Sequence, residues 1–129
     1  MEANPATPRK KHVLIVEDDF DLAQLLKEQL EAENFDVSTA PNGALALKHI
    51  LHKEVDAIVC DLKMPKLTGD VFYTTVARGK PALAKRFIFL TAFADEPQFQ
   101  AFVRSVESPV LQKPVAFETL LAEIARITG

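Results

Sequence analysis

Cysteine occurs once in the chain, at position 60. No internal disulfide can form, so the fold must rest on its core, and the composition fits a reducing compartment. Long apolar runs are also missing. None approaches the ~20 residues that span a bilayer as a helix. The first eleven residues, MEANPATPRKK, lack the apolar centre of a signal peptide and predict a short flexible tail over 1–11. Its charges, Arg9, Lys10 and Lys11, read as a solvated run. Excess positive charge is lacking too: the formal net charge is -3, which gives no basis for direct nucleic-acid binding. No internal repeat or linker interrupts the chain.

What is present is one ordinary globular domain. With 129 residues, 48% hydrophobic and 26% charged, the chain can bury a single core. Two kinds of segment alternate. Continuous apolar runs at 12–17 (HVLIVE), 55–61 (VDAIVCD) and 86–91 (RFIFLT) predict strands buried on both faces. Shorter strands are expected at 35–40 and 109–112. Between them, apolar residues recur at helical spacing. Leu22, Leu25, Leu26 and Leu30 do so in 21–33, and Phe99, Phe102, Val103 and Val106 in 96–106. Leu120, Leu121, Ile124 and Ile127 do so in 116–127. Helices are also expected at 42–53, capped by Asn42, and from Gly69 to about Arg78. Five βα units imply a parallel sheet with helices on both faces, because the crossovers are right-handed.

In such a sheet the site lies beyond the C-terminal strand ends. There the apolar pattern breaks. The first strand ends in Glu17, Asp18 and Asp19, the third at Asp61, the fourth at Thr91 and the fifth at Lys113. Clustered carboxylates need a cation, and all-oxygen donors favour Mg²⁺. An ionised aspartate can attack a phosphoryl group, whose charge Mg²⁺, the Lys113 ammonium and the Thr91 hydroxyl would neutralise. Asp19 reads better as a helix N-cap than as a ligand. Cys60 reads as a small buried hydrophobe, and His49 and His52 as a surface pair.

Four segments, VLIVEDD, CDLKMPKLTG, FLTA and LQKP, carry a resemblance to the receiver domains of two-component response regulators. They fall in order on the expected strand ends. The resemblance spans 12–127 and implies a receiver domain over 12–129, flavodoxin-like, with strand order 2-1-3-4-5. It implies that Asp61 accepts a phosphoryl group from a histidine kinase or histidine phosphotransfer protein. It further implies that Asp18 and Asp61 bind Mg²⁺ directly, with Glu17 helping through water and the Lys63 backbone carbonyl as a further ligand. Thr91 resembles the switch hydroxyl, Ala92 the small residue that leaves room for the phosphoryl group, and Lys113 the lysine that pairs with Asp61. Lys63 would add positive charge near the phosphate. A cis bond before Pro114 is often found in the family. Such a protein catalyses its own aspartyl phosphorylation and dephosphorylation without being a conventional enzyme. It works in the cytoplasm, does not insert in a membrane and acts on a downstream protein.

Competing readings separate on single residues. A haloacid-dehalogenase-like phosphatase places a second aspartate two residues after its nucleophile, where this chain has Lys63. A flavodoxin-like FMN site would need a Ser/Thr-rich loop where EDDFD stands. A degenerate receiver that only binds proteins is the alternative of a different class. The chain stops at Gly129, which reads as a single-domain regulator or as a receiver cut from a longer protein such as a hybrid kinase. Two departures bear on signalling. Phe93, beside the expected path of the hydrolytic water, implies slow self-hydrolysis. Val110 stands where many receivers carry Tyr or Phe, which implies that the signal leaves through 91–97.

Overall fold

The computed structural model describes residues 9–92 and 96–129. Five parallel strands form one sheet: β1 (His12–Val16), β2 (Asp36–Ala40), β3 (Ala57–Asp61), β4 (Phe87–Thr91) and β5 (Val110–Gln112). Their order is β2-β1-β3-β4-β5, as the resemblance implied. The helices are α1 (Phe20–Ala32), α2 (Gly43–His52), α3 (Gly69–Gly79), α4 (Pro81–Ala84), α5 (Pro97–Ser105) and α6 (Phe117–Thr128). The segment 1–8 of the expected tail and residues 93–95, with Phe93, lie outside the described residues. The described end of the tail is tied down. Arg9 pairs with Glu54 at 3.4 Å and Asp56 at 3.5 Å, and the Lys11 carbonyl accepts from Asp36 N at 2.9 Å.

The central strands are apolar throughout because alternate side chains face different helix layers. Leu14, Val16, Ile58, Cys60, Phe87 and Phe89 pack with Ala46, Ile50, Phe72, Val76 and Phe99 of α2, α3 and α5. Val13, Ile15, Val59, Ile88 and Leu90 pack with Leu26, Leu30, Leu120 and Ile124 of α1 and α6. Each fully buried large side chain contributes about 1.5–3 kcal/mol by leaving water, so the two layers hold the strand ends rigidly in register.

Three sequence expectations change. Leu25 is 53% exposed, because the α1 stripe that meets the sheet runs through Ala23, Leu26 and Leu30. The short helix α4, opened by Pro81, adds a turn after α3 that periodicity over four residues cannot reveal. His49 does not form a surface pair with His52. It stacks on the buried His12 ring with centroids 5.2 Å apart, because the crossover lays α2 over the start of β1.

Candidate functional site

The register sets the site. Asp61 ends β3 opposite Leu90, one residue before Thr91, and Val16 of β1 lies opposite Cys60. The carboxylates that follow β1 therefore face Asp61. Glu17, Asp18 and Asp61 each bring one oxygen within 4.8 Å of the others. Glu17 and Asp61 are buried, and Asp18 is exposed. Asp19 is turned away to cap α1: its Oδ1 accepts from Leu22 N at 3.1 Å, and its own N donates to Glu17 Oε2 at 3.1 Å.

Lys113 closes the other side. Its backbone N donates to Thr91 O at 3.0 Å, and Thr91 is fully buried. The Lys113–Pro114 bond is cis. Lys113 Nζ donates to Glu17 Oε1 at 2.7 Å and to Asp61 Oδ2 at 3.2 Å. The sequence reading paired this lysine with Asp61 and missed Glu17, which is its nearer partner although 96 residues away. Ala92 is exposed beside Thr91. Lys63, two residues past Asp61, reaches Glu96 at 3.3 Å, an ion pair absent from the sequence reading.

Burial pushes the Glu17 carboxyl up to about 7 against the pull of Lys113. Asp61 is likewise raised by burial, again opposed by Lys113. Burial draws Lys113 down, but its bonds and charges with Glu17 and Asp61 outweigh this and hold it above the ordinary lysine value. One ammonium thus undercompensates a cluster of three acids.

The donor set fits a hard divalent cation. Asp61 Oδ1 is buried and accepts no hydrogen bond among the described residues, and all three candidate donors are carboxylates. Buried carboxylate oxygens without a partner are costly, and Mg²⁺ takes such oxygens with part of its water shell kept.

The loop behind Asp61 is tightly held. Leu62 and Met64 are buried, and Gly69 N donates to Leu62 O at 2.8 Å. A Cβ on Gly69 would stand 2.3 Å from the Asp61 carbonyl oxygen, so only glycine fits. Leu67 N donates to Pro65 O at 2.8 Å with Lys66 at φ 71°, a γ-turn in the left-handed region.

A family model for the response regulator receiver domain matches residues 13–125. The chain belongs to the response regulator receiver family. The receiver is similar to the transcriptional regulatory protein GlrR of Escherichia coli (strain K12), with 31% identity over 113 residues. That match covers 88% of this chain and 25% of GlrR, so the receiver spans about a quarter of that relative's length. Among solved structures it is similar to the chemotaxis protein CheY4 of Vibrio cholerae, with 28% identity and a TM-score of 0.78 over 92% of this chain and 99% of that one. It is also similar to the response regulator TrrA of Thermotoga maritima in complex with Mg(2+)-BeF, with 26% identity and a TM-score of 0.78 over 91% and 98% of the two chains. Receivers of this family serve two-component signalling and bind Mg²⁺ at an acidic pocket. Among the described residues, no helix is long and apolar enough to cross a membrane.

Proposed function

We propose that this receiver takes a phosphoryl group onto Asp61 from a histidine kinase or histidine phosphotransfer protein, in the cytoplasm, and passes the signal to a protein target. The observation that carries the reading is the Lys113 ammonium held between Glu17 and Asp61 while Asp61 Oδ1 stays unpartnered. An Asp61 oxygen attacks phosphorus, the P–N bond to the donor imidazole breaks, and its electron pair stays on the imidazole nitrogen. Lys113 neutralises the transferred charge, the Thr91 hydroxyl donates to a phosphoryl oxygen, and Ala92 leaves room for it. Lys63 adds positive charge at the outer side. Asp18 and Asp61 would hold Mg²⁺, with Glu17 through water and the Lys63 carbonyl. The metal would supply charge neutralisation for the incoming phosphoryl group.

The test is mass spectrometry after incubation with acetyl phosphate, with and without Mg²⁺. A labile phosphoryl adduct that forms on the native chain only with Mg²⁺, and is lost in Asp61→Asn, is the expected result. An undiminished adduct in Asp61→Asn overturns the assignment.

A further inference from the structure

The segment from Lys63 to Thr68 joins the proposed phosphoacceptor to α3. Its anchors at either end are already accounted for: Met64 in the core and Gly69 against the Asp61 carbonyl. Between them the chain makes the strained turn at Lys66, whose positive φ an L residue adopts only when its surroundings enforce it. Pro65 and Lys66 are exposed and offer no grip. Between the two anchors the Leu67 side chain is half-buried and packed against the core.

Leu67 lands on the first residue of α2. A Cβ built on Gly43 would stand 2.6 Å from Leu67 Cδ2, 3.1 Å from Cγ and 3.2 Å from Cβ. Gly43 is buried and does not have a positive φ. The position therefore needs the absence of a side chain, not the freedom of glycine's backbone. Turning the Leu67 side chain about its first torsion would relieve the approaches to Cδ2 and Cγ but not the 3.2 Å approach to Cβ. The Leu67 Cβ moves only with its own backbone, so the loop, or the start of α2 against it, would have to give by a few tenths of an ångström.

We infer that Leu67 seated on Gly43 is a positioning lock, which holds the γ-turn and through it the Lys63 backbone carbonyl at the metal site. The inference rests on the functional reading above. Mg²⁺ demands near-ideal octahedral geometry at short range, so a displacement of a few tenths of an ångström in a ligand carbonyl is felt. The lock also ties the site to α2, an element that supplies none of the proposed ligands.

The test uses Gly43→Ala, Leu67→Ala and the double variant on the full chain. Mg²⁺ affinity is read by calorimetry, and the Leu67 amide by hydrogen exchange without metal. Gly43→Ala is expected to weaken Mg²⁺ binding about tenfold, the usual cost of disturbing what orients a metal ligand. The Leu67 amide should exchange faster. The urea midpoint should fall modestly, because the added methyl overpacks the contact with Leu67. Leu67→Ala should lose affinity similarly. In the double variant the losses should not multiply, because both changes break one contact. Native Mg²⁺ affinity and native Leu67 protection in Gly43→Ala would overturn the lock, as would losses that multiply in the double variant. Failure of the functional reading would appear in the unaltered chain itself, as an absence of Mg²⁺ binding, while the exchange measurement would still judge the lock.

Discussion

Lys113 Nζ lies 2.7 Å from Glu17 Oε1, nearer than to the Asp61 carboxylate at 3.2 Å. The lysine is thus a counter-ion shared by two buried acids, and it does the same electrostatic work as a bound cation. Replacing it by alanine leaves both carboxylates without compensation, a cost of about 1–3 kcal/mol. Lys113→Ala should therefore melt earlier than the native chain. Because ligand binding to the native state stabilises it, saturating Mg²⁺ should raise the melting temperature more in the variant. Equal gains in both proteins would show that lysine and cation do not compensate the same oxygens.

Asp18 and Asp19 are adjacent but do different work. Asp18 contributes an oxygen to the acidic cluster, and Asp19 caps α1. Asp18→Ala should weaken Mg²⁺ binding strongly with little change in urea stability. Asp19→Ala should cost about 1 kcal/mol of stability, the usual value of a lost cap, and leave Mg²⁺ affinity close to native. Calorimetric titration beside urea unfolding checks both, and equal affinity losses would mean that both carboxylates serve the metal.

The rim residues were legible in the sequence because a parallel sheet sends every strand's C-terminal end to one side. Asp61, Thr91 and Lys113 then needed only the strand assignments. The partnership of Lys113 with Glu17 was not legible, since it depends on which carboxylate lies deeper behind β1. Gly43 and Leu67 left no signal either, because their contact follows from the loop's path and neither residue carries chemistry. His12 and His49 were missed for a related reason. One is at a strand start and the other on a helix, and only the crossover lays one ring on the other.

That histidine pair predicts a pH dependence. His12 Nδ1 lies 2.9 Å from Asp36 Oδ2, and its Nε2 lies 3.0 Å from His49 Nε2. Lys53, paired with Asp36 at 3.1 Å, adds positive charge nearby. Burial first, then Lys53, lowers His12 below the ordinary 6.5, and the same two causes lower His49. The unfolded chain therefore binds protons before the folded one does. Stability from this pair is complete above the unfolded value and is lost as pH falls below about 6.5. Glu17, raised to about 7, acts in the opposite sense, so the pair is read as a difference. Relative to His49→Gln, the native chain should lose urea stability between pH 7.5 and 5.5. A constant difference across that range would refute the coupling.

The last expectation concerns how a phosphoryl group would be sensed. Val110 pairs with Phe89 in the sheet and packs against the core cluster that holds Phe89, whose ring meets Phe102 edge-on at 5.2 Å. A β-branched residue with one strongly restricted torsion cannot make a large side-chain swing. By contrast, Lys63 and Glu96 form a partly exposed ion pair at 3.3 Å, which joins the loop behind Asp61 to the start of α5. A phosphoryl group on Asp61 would carry more negative charge than Glu96 and would draw the ammonium toward itself. Such a pair is worth about 0.2–1 kcal/mol, little enough for the phosphoryl charge to break. Beryllofluoride with Mg²⁺ should therefore shift the amides of Lys63, Thr91 and Glu96 strongly and those of Val110 and α6 weakly. Glu96→Gln should shift the Lys63 amide toward its bound-state position before any beryllofluoride is added. Changes centred on Val110 and α6, with Glu96 unmoved, would place the route on the fifth strand instead.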